Sequence, residues 1–345
     1  LDAVVGIGSN GKICDIIREI LLDKQAVCSY GAKTELSMEG GRIISTEPFY
    51  AYIKIAEGCS NNCTYCAIPS IRGKYRSRRM EDIVKEARWL AENGVTELVV
   101  VAQDTTRYGE DIYGKSMLPE LLTALCEIDG FKWIRTLYCY PERITDELLD
   151  VIAKEDKLVK YLDMPIQHCN KTILKRMNRH GDRETLTALI KKIREKIPNV
   201  TLRTTLITGF PGETEEQFEE LCEFVKEIRF ERLGCFAYSP EEGTPAEKFE
   251  DQVPLKDRER RAEIIMEEQM IISDSLNEAA LDSEVEVVCE GFDRYAECYY
   301  GRSQADAPEI DGKIFFLSED KVRVGEYVKV KIDDTMDYDL IGSKM

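Results

Sequence analysis

Histidine is nearly missing from this chain. There are two in 345 residues, His168 and His180, and they lie far apart. That argues against a zinc site built largely on imidazole. No run of 18 or more apolar residues occurs, so nothing in the sequence reads as a membrane-spanning helix. The opening Leu1-Asp2-Ala3-Val4-Val5 lacks an initiator Met, a basic stretch and a long apolar segment. It does not read as a signal peptide; it reads as the middle of a strand, as though the chain began inside a domain. Positive charge is short as well. The formal net charge is −18, whereas a general nucleic-acid binder needs Lys and Arg for phosphate contacts. Surplus acid suits a basic partner or serves solubility alone. What the chain does have is cysteine: twelve, with Cys59, Cys63 and Cys66 close together and the rest scattered. Disulfide scaffolds are short and Cys-dense, whereas clustered Cys without a secretory signal point to a metal-binding enzyme of the cytoplasm.

The length predicts two or three domains. Residues 1–45 read as a fragment: a strand ending near Val5, apolar residues at helical spacing (Ile13, Ile16, Ile17, Ile20, Leu21), then a linker through Gly40-Gly41. Strand-like runs follow at 51–56, 96–102, 132–139, 160–166, 200–208 and 231–238, separated by amphipathic stretches such as 80–93 and 214–228. Strands alternating with helices predict a parallel sheet. Six such units predict an α/β fold, a complete or partial TIM-like βα barrel over residues 46–275, with chemistry at the C-terminal strand ends. Residues 254–281 read as one long helix opened by Pro254, with Arg258, Glu259, Arg260 and Arg261 on a charged face. Residues 276–345 bring short alternating strands from Ser283 onward, a small all-β, OB-like barrel.

The decisive segment is Glu57-Gly58-Cys59-Ser60-Asn61-Asn62-Cys63-Thr64-Tyr65-Cys66, directly after the first strand of the barrel. One loop can wrap these three thiolates around a single iron–sulfur centre. Three ligands for four irons leave one iron open. A structural zinc site wants four ligands, and no fourth Cys or His lies nearby. The triplet resembles the radical S-adenosylmethionine superfamily. Ala67-Ile68-Pro69-Ser70-Ile71-Arg72-Gly73-Lys74-Tyr75-Arg76-Ser77-Arg78 is similar to its methylthiotransferase branch. The basic run Arg72, Lys74, Arg76, Arg78, Arg79 is either a solvated edge or pairs with acidic loops or substrate.

The resemblance implies a four-iron four-sulfur cluster on Cys59, Cys63 and Cys66, with S-adenosylmethionine on the open iron. Cleavage of that cofactor would make a carbon radical. Gln103 and Gln167, each just past an apolar strand, are candidates for cofactor contact or mere loop bonding, and His168 reads as a plain loop residue. Tyr65 either packs near the adenine or shields the cluster. In Arg203-Thr204-Thr205-Leu206-Ile207-Thr208-Gly209-Phe210-Pro211-Gly212-Glu213-Thr214, Gly209 and Gly212 permit a tight turn that aims backbone donors at a ligand, and Thr214 or Glu213 could cap the next helix. By the likeness, Arg203 could pair with the cofactor carboxylate.

Two branches compete. Pro165-Ile166-Gln167-His168, Lys175-Arg176-Met177 and Gly301-Arg302-Ser303-Gln304-Ala305-Asp306-Ala307-Pro308-Glu309-Ile310-Asp311-Gly312 are similar to enzymes that methylthiolate the β-carbon of an aspartate in small-subunit ribosomal protein twelve. The alternative branch modifies adenosine in transfer RNA. The terminal module resembles the TRAM domain, yet residues 281–345 hold sixteen acids against eight bases, a net −8. That charge repels phosphate and attracts a basic ribosomal protein; the module could also merely pack against the barrel. The family further implies an electron donor and a second four-iron four-sulfur cluster. Cys14 and Cys28 do not sit in that cluster's ligand motifs, so its ligands are expected outside residues 1–345.

Overall fold

The computed structural model describes residues 1–23 and 26–345. An N-terminal unit comes first: β1 (Ala3–Val5), α1 (Ile13–Asp23) and β2 (Val27–Ser29), with β1 and β2 parallel. Cys14 and Cys28 are both exposed on it. The barrel region then runs β3 (Tyr50–Lys54), β4 (Ala56–Glu57), α2 (Ile68–Arg72), β5 (Arg76–Ser77), α3 (Met80–Glu92), β6 (Glu97–Val101), α4 (Glu110–Tyr113), α5 (Leu118–Cys126) and β7 (Trp133–Thr136). It continues with α6 (Asp146–Lys154), β8 (Tyr161–Asp163), α7 (Lys171–Arg176), α8 (Arg183–Lys196), β9 (Thr201–Thr208), α9 (Glu215–Ile228), β10 (Arg232–Ala237) and α10 (Leu255–Glu278). Five strands finish the chain: β11 (Glu284–Asp293), β12 (Cys298–Arg302), β13 (Ile314–Leu317), β14 (Tyr327–Met336) and β15 (Asp339–Lys344).

The expected partial barrel is present. β3, β6 and β7 pair in parallel, as do β8, β9 and β10. A bridge between Ile134 and Leu158, and a bond from the Cys139 N–H to the Asp163 carbonyl (2.8 Å), join the halves into one arc. No pairing between β10 and β3 closes it among the described residues. The helices cover the outside because their apolar positions recur at helical spacing, as with Ile83, Ala87 and Leu90 on α3. Thr214 caps α9, with its side chain and that of Gln217 bonded reciprocally to backbone. On α10 the charged stretch divides, with Glu259 exposed and Arg260 half-buried. Arg258 and Arg261 are buried, not solvated. Arg258 donates to the carbonyls of Val253 and Tyr238, and Arg261 to Glu213 and Glu215. No helix among the described residues is long and apolar enough to cross a membrane.

β11 to β15 form a closed barrel around Val287, Cys289, Ile314, Phe316, Val330 and Ile332, in the order β11-β12-β13-β15-β14. Its loop 303–312 reaches under the larger barrel. The first residues of four strands meet this module. Tyr50 Oη bonds Glu309 (3.2 Å), Glu97 bonds Arg302 (2.7 Å), Tyr161 Oη bonds Asp311 (2.6 Å), and Arg232 bonds Asp306 (2.6 Å). Glu97 is fully buried and also takes Arg135 Nε at 3.0 Å. Burial alone would push its carboxyl up; Arg302 and Arg135 outweigh that and hold it below the usual glutamate value. Asp306 is depressed in the same way by Arg232 and Ser303. The motif at 301–312 is therefore a plug in the base of the barrel.

Removing one partner of a buried pair strands the other charge, whereas replacing the whole set by apolar side chains can be near neutral. Glu97→Gln should lower unfolding stability by roughly 3 kcal/mol in urea titrations. A Glu97→Leu, Arg135→Leu, Arg302→Met triple variant should lose much less. Because the native pKa is depressed, the stabilisation from Glu97 is present above its ordinary value of 4.5 and fades as pH falls through the native value. The native protein should therefore lose stability on acidification more steeply than the triple variant.

Candidate functional site

The cysteine loop leaves β3 at the open end of the barrel and is fastened along its length. Glu57, just before it, is fully buried and accepts Lys54 Nζ at 2.6 Å and the Gly58 N–H at 3.2 Å, with Arg72 at 3.7 Å. Gly58 has φ +77, and a β-carbon there would run into the Lys74 carbonyl, so the turn into Cys59 requires glycine. The Cys59 N–H bonds the Gly73 carbonyl at 3.2 Å. Asn61 Nδ2 donates to Asp104 at 2.8 Å, and Asn178 Nδ2 donates to the carbonyls of Asn61 and Asn62, each at 3.0 Å. Thr64 is tied to Arg176 and Met177. Arg78, from the basic run, is buried between Glu39 (2.5 Å) and Glu86 (2.7 Å), so that member pairs with acidic neighbours.

Cys59 and Cys66 open on a cavity of about 600 Å³, lined also by Tyr52, Lys54, Gln103, Tyr138, Tyr140 and Ile310. Cys63 lies beside it, with Sγ 3.7 Å from Tyr140 Oη. Burial pushes Cys59 up to about 11 and raises Cys66 too. Iron loading must therefore displace thiol protons. No three His, Cys, Asp or Glu side chains among the described residues group tightly enough for a single metal ion. A cubane does not ask for that, since each thiolate binds a separate iron. The donor set fits such a cluster: three soft sulfurs on one braced loop. Gln103 Oε1 is buried without a hydrogen-bond partner at the same cavity. It suits a small-molecule occupant with a polar N–H or O–H.

Other expected residues fall elsewhere. Tyr65 packs edge-on against Phe210 in a second apolar cluster and is raised by burial and by Cys63. That position favours shielding over adenine contact. Gln167 is buried with φ +70, its backbone bridging to β9, and its side chain is not in the cavity lining. Arg203 does not reach the lining either. It lies third in β9, holding Asp163 at 2.9 Å and Asp311 at 3.6 Å, so the expected pairing with a cofactor carboxylate gains no support here. At Gly209 (φ +67) the space a β-carbon would need is filled by Arg258, which accounts for the glycine. Three donors of that turn are taken internally: the Phe210 N–H by Glu213, the Gly212 N–H by the Asp251 carbonyl, and the Glu213 N–H by the Phe210 carbonyl. The turn leads into the capped start of α9, and the expectation that it cradles a ligand gains no support from these three donors. His168 is fully buried and its Nδ1 accepts the Asn170 N–H at 2.9 Å, a structural role. The sequence reading overlooked Lys54, Tyr52, Tyr138, Tyr140 and Ile310. The alternation Tyr50, Tyr52, Lys54 just before the triplet was the available signal for two of them.

Cys59→Ala, Cys63→Ala and Cys66→Ala should each abolish iron retention after anaerobic reconstitution, read by metal analysis. Asp104→Ala removes the Asn61 anchor and keeps all three thiols, so it should lower iron content only in part. Full loading by Cys63→Ala would contradict the ligand assignment.

Residues 53–225 match the radical SAM superfamily model and residues 283–344 the TRAM domain model. Three relatives carry the name ribosomal protein uS12 methylthiotransferase RimO. The one from Clostridium tetani is 48% identical over 99% of this chain and 77% of its own length. Those from Caldanaerobacter subterraneus subsp. tengcongensis and Clostridioides difficile are 49% and 50% identical, covering 99% of this chain and 78% and 77% of theirs. With about half of its residues shared along nearly its whole length, the chain belongs to the RimO family of radical SAM methylthiotransferases.

Proposed function

We propose that this chain methylthiolates the β-carbon of an aspartate in ribosomal protein uS12. The observation that carries the reading is the shared cavity: two thiols of the triplet and the unpartnered Gln103 oxygen open together at the C-terminal strand ends. When bound, a four-iron four-sulfur cluster with S-adenosylmethionine would supply one-electron cleavage of the sulfonium, a second S-adenosylmethionine the methyl group, and the second cluster, with ligands expected outside residues 1–345, the inserted sulfur. The chain's own residues do the rest. Cys59, Cys63 and Cys66 hold iron, Glu57 and Asp104 brace the loop, and Gln103 orients the small-molecule ligand. Tyr52, Tyr138, Tyr140 and Ile310 wall the cavity and keep water from the reacting bond.

Charge favours a basic protein substrate over RNA, although less simply than the net −8 suggests. Asp306, Asp311 and Glu290 pair with Arg232, Arg203 and Arg302 within the molecule. Glu284, Glu297, Glu319, Asp333 and Asp334 remain exposed on the TRAM module and offer the field that a Lys/Arg-rich partner would meet.

Anaerobic reconstitution with iron, sulfide and a reductant should yield 5′-deoxyadenosine from S-adenosylmethionine, and Cys63→Ala should abolish it. Residues 1–345 alone should stop at cofactor cleavage; once the ligands of the second cluster are also present, a uS12 peptide containing the target aspartate should gain the mass of one methylthio group. Product on transfer RNA instead, with affinity falling steeply as salt rises, would overturn the substrate assignment.

A further inference from the structure

Tyr50, Tyr52 and Lys54 alternate along β3 and so face one side. Tyr50 Oη reaches Glu309 and Tyr52 Oη reaches the Pro308 carbonyl, both on the plug, which makes that side the barrel lumen. Lys54 stands above them at the level of the cysteine loop. Its side chain is 47% exposed and lines the cavity shared with Cys59 and Cys66. The lining otherwise consists of tyrosines, aliphatic residues, two thiols and Gln103, and it includes no carboxylate. The cations of the lumen lower down are already held by acids: Arg135 by Glu97, Arg203 by Asp163, Arg232 by Asp306. Lys54 is paired as well, with Glu57 at 2.6 Å, but it is the one cation in the cavity lining and half-exposed, so a carboxylate entering there meets its charge.

We propose that Lys54 is the carboxylate anchor of the cavity and thereby a positioning residue for the reaction. The inference rests on the methylthiotransferase reading, which brings two carboxylates to the site: that of the target aspartate and that of S-adenosylmethionine. Holding the aspartate carboxylate fixes the adjacent β-carbon one bond away, so a single charge-assisted contact sets which C–H bond faces the reacting centre. Lys54 Nζ donates to Glu57 through one N–H, which leaves its two others for a ligand. Glu57 does not depend on Lys54 alone, since the Gly58 N–H and Arg72 also meet it. Changing Lys54 should therefore spare the iron-binding loop.

The test uses the reconstituted full chain with Lys54→Gln and Lys54→Arg, after iron content has been compared with the native protein. Binding is measured by equilibrium dialysis for two pairs of probes: uS12 peptides with Asp or Asn at the target position, and S-adenosylmethionine or its decarboxylated form. Lys54→Gln should weaken the Asp peptide about tenfold, the loss of one charge-assisted hydrogen bond, and leave the Asn peptide unchanged. Lys54→Arg should restore most of the affinity. A selective loss for S-adenosylmethionine over its decarboxylated form would instead assign the anchor to the cofactor. Equal losses within both pairs, no loss in either, or loss of iron from Lys54→Gln would overturn the proposal. If the native protein binds neither peptide while the cofactor pair still discriminates, the substrate reading fails and the anchor stands.

Discussion

Glu97 carries its charge at the first residue of β6 with no access to water, and only two arginines make that tolerable. One belongs to the neighbouring strand. The other, Arg302, is 205 positions away in the TRAM module. An open arc of six strands has a lumen that water could enter from below. The pairing of Glu97 with Arg302, joined by Arg232 with Asp306 and Tyr161 with Asp311, fixes loop 303–312 in that opening. The loop also carries Ile310 into the lining of the cavity near the cysteines. What closes the base of the barrel thus also shapes the floor of the site.

At the other end of the barrel the constraint is backbone geometry. Asn62, Tyr138 and Gln167 all adopt left-handed φ, at +53, +60 and +70, in the loops that follow β4, β7 and β8. Side-chain-bearing residues enter that region at a cost that the surroundings must offset. At Tyr138 the backbone N–H is fixed by Asp163 at 3.0 Å, and at Asn62 the carbonyl is fixed by Asn178. Asn62 immediately precedes Cys63 and Tyr138 lines the cavity, so two of these turns lie where the cysteine loop and the aromatic wall meet.

The sequence disclosed what depends on short-range order. Strand positions followed from apolar runs, α3 and α9 from helical spacing, and the cysteine loop from its ligand spacing. Gln103 was legible because a polar residue just past an apolar strand lands at the barrel mouth. What the sequence could not show are the partners that lie far away in the chain. Arg203 was a candidate cofactor ligand, and nothing local reveals that Asp163 and Asp311 lie beside it. Gly209 was a candidate for a ligand-facing turn, and nothing local reveals that Arg258, 49 positions later, fills the space a β-carbon would need there. Arg258 and Arg261 were read only as members of a charged face, because nothing local reveals that Glu213 and the Tyr238 carbonyl lie opposite. Charged residues at apolar spacing are where pattern reading fails, since only tertiary structure shows whether a counter-charge is present.

The plug has a bearing on modularity. Domains joined by a linker can be exchanged freely when few contacts cross between them. Here Arg302, Asp306 and Asp311 are the counter-ions of barrel residues. A foreign TRAM module would have to bring the same three charges at the same places, or leave buried acids and arginines unmatched within the barrel. The two halves therefore inherit change together: a substitution at Glu97, Arg203 or Arg232 narrows what the distant β-barrel can become.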